Sequence, residues 1–152
     1  MKLIAAALLA TSLMFGGPCQ ATNEDLHSVS GMRDSYRVLV VFTPSLADAR
    51  IAAQRAIMAE IAIEAAKRDL LLVQVDPVTV VGAHDDGDKL RRRFHVPVLN
   101  YHAILLDKDG HVLREAVGPM EGEAILHAID TAPRHQIELH HIRAGKHIVD
   151  KR

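Results

Sequence analysis

The chain reads as an α/β domain with a central mixed four-stranded sheet and flanking helices. Two observations carry this. "RVLVVF" (residues 37–42) and "LLLVQV" (70–75) are apolar runs joined by a long helical pattern, the signature of a parallel βαβ unit. "AILL" (103–106) and "HVLREAV" (111–117) flank "DKDG", a tight turn of the Asp-Gly hairpin kind.

In chain order, the first 21 residues stand apart. Lys2 precedes an apolar run over residues 3–15 and then a small-residue region, the pattern of a secretory signal cut after Ala21. The run is shorter than the roughly 20 apolar residues a membrane span needs. Cys19 is the sole cysteine. A lipoprotein attachment there would put Pro18 at the scissile bond, where its locked backbone is a poor protease substrate. Cleavage after Ala21 removes the thiol, so the exported product is expected to be cysteine-free, periplasmic or secreted, with no transmembrane segment left. Residues 22–34 are polar and read as a flexible leader.

The first strand ends at Thr43-Pro44-Ser45, and a helix follows to about Lys67. Two starts compete: Thr43 as N-cap with Pro44 at the first helical position, or Ser45 as N-cap with Asp48 closing a capping box. Ile51, Gln54, Met58, Ile61 and Ala65 form one mostly apolar stripe, with Ile57 and Ile63 off it. After the second strand, Pro77 interrupts, and "VTVV" (78–81) reads as an edge strand or an extended loop. "GAHDDGD" (82–88) is a polar loop, followed by a short helix from about Lys89 to Phe94 capped by Asp86 or Asp88. Gly118-Pro119 opens a last helix that Pro133 ends, and residues 139–152 form a basic, His-rich tail. The domain proper is residues 35–138, in the order βαβ-αββα, which is the thioredoxin-like arrangement.

These residues resemble an exported bacterial family, domain-of-unknown-function family 4174, itself similar to the DUDES-type domains of animal extracellular-matrix proteins. The resemblance rests on "RVLVVFTP", "AAQRA", "KRDLLLVQV", "ILLDKDGHV" and "AIDTAPRHQIE", where Asp130, Pro133, Arg134 and Glu138 hold the recurrent positions. It covers roughly residues 33–138. Asp107 departs from it, since relatives tend to have glycine before the lysine. The resemblance implies a fold and an exported location, and no reaction.

Thioredoxin chemistry needs a low-pKa thiolate at a helix N-terminus and a resolving thiol three residues on. The matching stretch, Ser45-Leu46-Ala47-Asp48-Ala49-Arg50, contains neither. The cis-proline site before the third strand falls at Tyr101 or His102, with Pro97 too far upstream. This argues against an enzyme and for a binding or interaction module. The alternative is a thioredoxin- or peroxiredoxin-type oxidoreductase using Cys19 or a partner's thiol. Thr43, Ser45, Arg50, Tyr101 and His102 are the candidate ligand-binding residues, lining a helix start with free backbone N–H groups; Asp48 opposes an anion there. Partners of two kinds fit: an envelope protein or a small anionic ligand.

A net charge of −1 argues against nucleic acid. No cofactor is expected. His135, His140, His141 and His147 raise zinc or copper, but a solvated tail explains them, and no metal site is assigned. "DDGD" (85–88) lacks the length and closing glutamate of a calcium loop. Arg91, Arg92 and Arg93 read as a solvated helix face complementing the helix dipole.

Overall fold

In the computed structural model, which describes residues 27–149, five strands form one sheet in the order β3-β2-β1-β4-β5. β1 (Arg37–Phe42) lies at its centre, parallel to β2 (Leu70–Val75) with Arg37 opposite Leu70. On its other side β1 runs antiparallel to β4 (His102–Leu106), which forms the hairpin with β5 (Val112–Ala116). The expected four strands become five because "VTVV" forms β3 (Val80–Val81), a two-residue edge strand antiparallel to β2.

All six residues of β1 are buried, because helices cover both faces of the central strand. The side chains sort by strand alternation. Val38, Val40 and Phe42 join Val73, Val75, Leu90, Ile104 and Leu106 on one face. Leu39 and Val41 join Ile51, Ala65, Tyr101, Ala103, Leu105, Ile125 and Ile129 on the other. α3 (Gly87–Phe94) covers the first face; α1 (Ala49–Glu60), α2 (Ala62–Ala66) and α4 (Gly122–Asp130) cover the second.

Several expected boundaries move. The long helix breaks at Ile61, in a stretch where the β-branched Ile57, Ile61 and Ile63 weaken helical preference. α4 starts against this joint: a Cβ on Gly122 would stand 2.7 Å from Ile61 Cγ2. Ile51, Gln54 and Ala65 of the predicted stripe are buried, whereas Ile63 is exposed. Gln54 earns its buried place by exchanging two hydrogen bonds with the Met120 backbone, at 3.1 and 2.7 Å, which ties α1 to the approach to α4.

Pro133 opens a helix instead of closing one. α4 stops at Asp130, and α5 (Pro133–Val149) begins with proline at its first position, where the missing N–H has no intrahelical role. Residues 139–149, read from sequence as tail, continue that helix. The leader is likewise built in over residues 28–34. Val29 and Met32 pack into the first core face, and Val29 N donates to Asp85 Oδ2 at 2.6 Å. The signal segment 1–21, with Cys19, lies outside the described residues. No described helix is long and apolar enough to cross a membrane.

Candidate functional site

The carboxyl end of β1 is where the sequence places the candidate site. Thr43 N donates to Val75 O, which carries the backbone past the sheet edge, and Thr43 Oγ1 donates to Ser45 O at 2.8 Å. Ser45 Oγ accepts from Ala47 N, so both hydroxyls serve the turn. Neither expected residue caps α1. Asp48 does, accepting from Arg50 N at 2.8 Å, because its short carboxylate also engages the Arg50 side chain at 3.0 and 2.6 Å. That Arg50 grip, first through the side chain and then the backbone, lowers the Asp48 pKa from 3.8 to about 2. Arg50 in turn lies 4.8 Å over the Tyr101 ring.

Tyr101 directly precedes β4 and His102 opens it, and no described peptide bond is cis at either of these two expected positions. The Tyr101 ring is buried between β1 and α1, and its hydroxyl has no hydrogen-bond partner. Burial pushes its pKa up to about 12. Thr43, Ser45, Arg50 and Tyr101 therefore meet at one corner. His102 does not join them: strand alternation turns it to the opposite face, where Nε2 lies 3.2 Å from Glu115 Oε2. Among the described residues no thiol stands at this corner. Among the described residues Ser45 Oγ has no hydrogen bond to a carboxylate or imidazole, and Asp48 is engaged by Arg50. Arg50 is paired with Asp48, so among the described residues an anion meets no unpaired cation at the helix start.

The family profile of DUF4174, a domain of unknown function, matches residues 28–138. The chain belongs to the DUF4174 family. No curated protein matches it. A crystal structure of an exposed lipoprotein thioredoxin from Streptococcus pneumoniae is similar at 21% identity, over 70% of this chain and 97% of that one, with a TM-score of 0.48. The thioredoxin-like assignment rests on the strand order and register described above.

The closing motif of this DUF4174 chain assembles at the opposite pole of the sheet. Arg37, wholly buried, donates to Asp107 Oδ1, Arg68 O and Glu138 Oε2 at 2.9, 3.0 and 3.0 Å. Lys108 Nζ reaches Asp69 at 2.8 Å and Glu138 at 3.2 Å, and Arg134 pairs with Asp34 at 2.8 Å. Burial works to raise the Glu138 pKa, but the Arg37 and Lys108 hydrogen bonds outweigh it and hold the carboxyl below its usual range. Asp107, the departure from the family pattern, thus supplies the buried partner of Arg37. Arg68 forks onto Asp130 at 2.7 and 2.8 Å, which lowers the Asp130 pKa. A pocket of about 370 Å³ lies here, lined by Glu64, Lys67, Arg68, Asp130, His135 and Leu139. Its charges already pair with one another, and it reads as the seat of α5.

His135 is buried in that seat rather than solvated in a tail. Among the described residues, no three His, Cys, Asp or Glu side chains gather as a metal-binding set. Arg91 is the other departure: it is 4% exposed and donates to Pro97 O, Thr43 O and Val75 O, with Phe42 beneath it. Sequence reasoning missed Arg37 and Arg91 as buried cations. For Arg37 a signal existed, a charge opening a β-branched run; for Arg91 the flanking Arg92 and Arg93 masked it.

Proposed function

We propose that this DUF4174 chain is an exported binding module that engages a protein partner through the loops at the carboxyl end of β1. The observation behind this is the distribution of exposed aliphatic side chains. Val78, Val98, Leu99 and Val117 sit on three loops at that one end, with Leu99 80% and Val117 79% exposed. Apolar side chains gathered on connecting loops, next to a corner rigidified by Asp48, Arg50 and Tyr101, suit contact with another apolar surface. Among the described residues, the same corner supplies no group for thiol exchange. The signal-like residues 1–21 support an extracytoplasmic setting, where such a partner is an envelope protein.

The test is crosslinked capture from the envelope with tagged protein, comparing wild type with L99D and V117D. Loss of the same captured protein in both variants, each still folded by circular dichroism, supports the reading. Unchanged capture places the working surface elsewhere. Insulin reduction above a blank by the processed protein would replace a binding module with an oxidoreductase.

A further inference from the structure

The end of α3 holds two guanidiniums, Arg91 and Arg92, that form no salt bridge among the described residues, although Asp76 and Asp88 act on Arg91 from a distance. Arg91, Arg92 and His95 line a pocket of about 450 Å³ together with Val96, Pro97, Val98 and one acid, Asp88. Among the described residues, none of the ion pairs uses Arg91, Arg92, His95 or Asp88. Arg91 bonds only backbone carbonyls, and its Nε–H is buried without a partner. A buried guanidinium normally meets a carboxylate, and a missing partner for a buried charged donor costs more than an exposed one.

The backbone points the same way. α3 ends in a Schellman motif: Val96 N donates to Arg91 O, and His95 N to Arg92 O. Glycine ordinarily fills the left-handed position of that motif, but here it is His95, at φ 56°. That backbone, which histidine tolerates and which Asp34 and Asp69 also adopt, places the His95 side chain among the residues lining the pocket. The motif also occupies the Arg91 and Arg92 carbonyls, which reduces their repulsion of an anion.

We propose that this pocket binds a carboxylate carried on a short apolar body. Arg92 and His95 meet the carboxylate, Arg91 supplies positive charge from below, and Val96, Pro97 and Val98 hold the aliphatic part. A free fatty acid of short chain and the C-terminal residue of a peptide share this chemistry. The inference goes beyond protein docking and stands on a different set of residues, apart from Val98.

The experiment is a titration of isotope-labelled protein with hexanoate, hexanol, and a leucine-ended peptide as free acid and as amide, followed by NMR. Saturable shifts of the Arg91 Nε–H signal and the Val96 and Val98 amides are expected with hexanoate and not with hexanol. Arg92→Ala weakens binding about tenfold, the worth of one charge-assisted hydrogen bond. His95→Gly weakens it while raising the melting temperature, a pairing that a purely structural histidine would not show. Preference for the free-acid peptide over hexanoate assigns the site to peptide ends; the reverse assigns it to small acids. Equal response to hexanol, or no saturable shift with any probe, overturns the proposal. Loss of capture in L99D and V117D leaves this titration unaffected, so the two readings fail separately.

Discussion

Arg37 Nη2 donates to Glu138 Oε2 at 3.0 Å, so the first strand and the last helix meet through a single guanidinium. Arg37 is fully buried and also holds Asp107. Removing one partner of a buried pair strands the other charge, typically at about 3–5 kcal/mol. Arg37→Ala is expected to lose that much in urea unfolding. Glu138→Gln keeps a neutral acceptor and loses about 1–2 kcal/mol. A loss below about 1 kcal/mol for Arg37→Ala would mean that water already screens the cluster.

Acid should unfold the protein through its paired carboxylates. Asp48, Glu138, Asp130 and Asp109 are all held below their ordinary range. A carboxylate depressed in the folded state adds stability once pH exceeds its unfolded value, and that stability drains as pH falls through the folded value. As far as these carboxylates set it, melting temperature changes little from about pH 5 to neutrality and declines toward about pH 2. Glu138→Gln starts lower and declines less steeply over the same range, which a pH series of thermal melts reads directly.

Tyr101 carries a buried hydroxyl with no partner. Removing it relieves an unmet desolvation cost, so Tyr101→Phe is expected to stabilise by on the order of 1 kcal/mol. Because the folded pKa is raised to about 12, wild type also loses stability in alkali as pH climbs from the unfolded tyrosine value through that point. The phenylalanine variant lacks that loss. Destabilisation by Tyr101→Phe would show that the hydroxyl has a partner in solution.

Gly122 opens α4, where alanine is ordinarily the better helix former. Here the added methyl would press on Ile61. Gly122→Ala is expected to destabilise by about 1–3 kcal/mol through overpacking. Adding Ile61→Ala, which vacates the space, should recover part of that loss. Strict additivity of the two losses would deny the contact.

The βαβ unit and the hairpin were legible because β1, β2 and β4 are nearly continuous apolar runs whose period and punctuation leave little choice. The cap of α1 was not. Thr43, Ser45 and Asp48 all suit the role, and the side-chain pairing with Arg50, a tertiary detail of rotamers, decides among them. Pro133 suits either a stop or a first helical position, and the contacts that favour the second, Glu138 on Arg37 and Lys108 and Arg134 on Asp34, are tertiary. Of the candidate site residues, Thr43 pairs with Ser45 and Arg50 with Tyr101, while strand parity turns His102 to the other face. Arg91 stayed hidden because sequence assigns a triple cation to solvent, whereas the carbonyls of Thr43, Val75 and Pro97 draw one of the three inward.

The chain enters the sheet where Asp34 N meets Lys108 O, and α5 is seated by Glu138 against the same lysine. The approach to β1 and the seat of α5 thus share one pole of the sheet, and the aliphatic loops occupy the other.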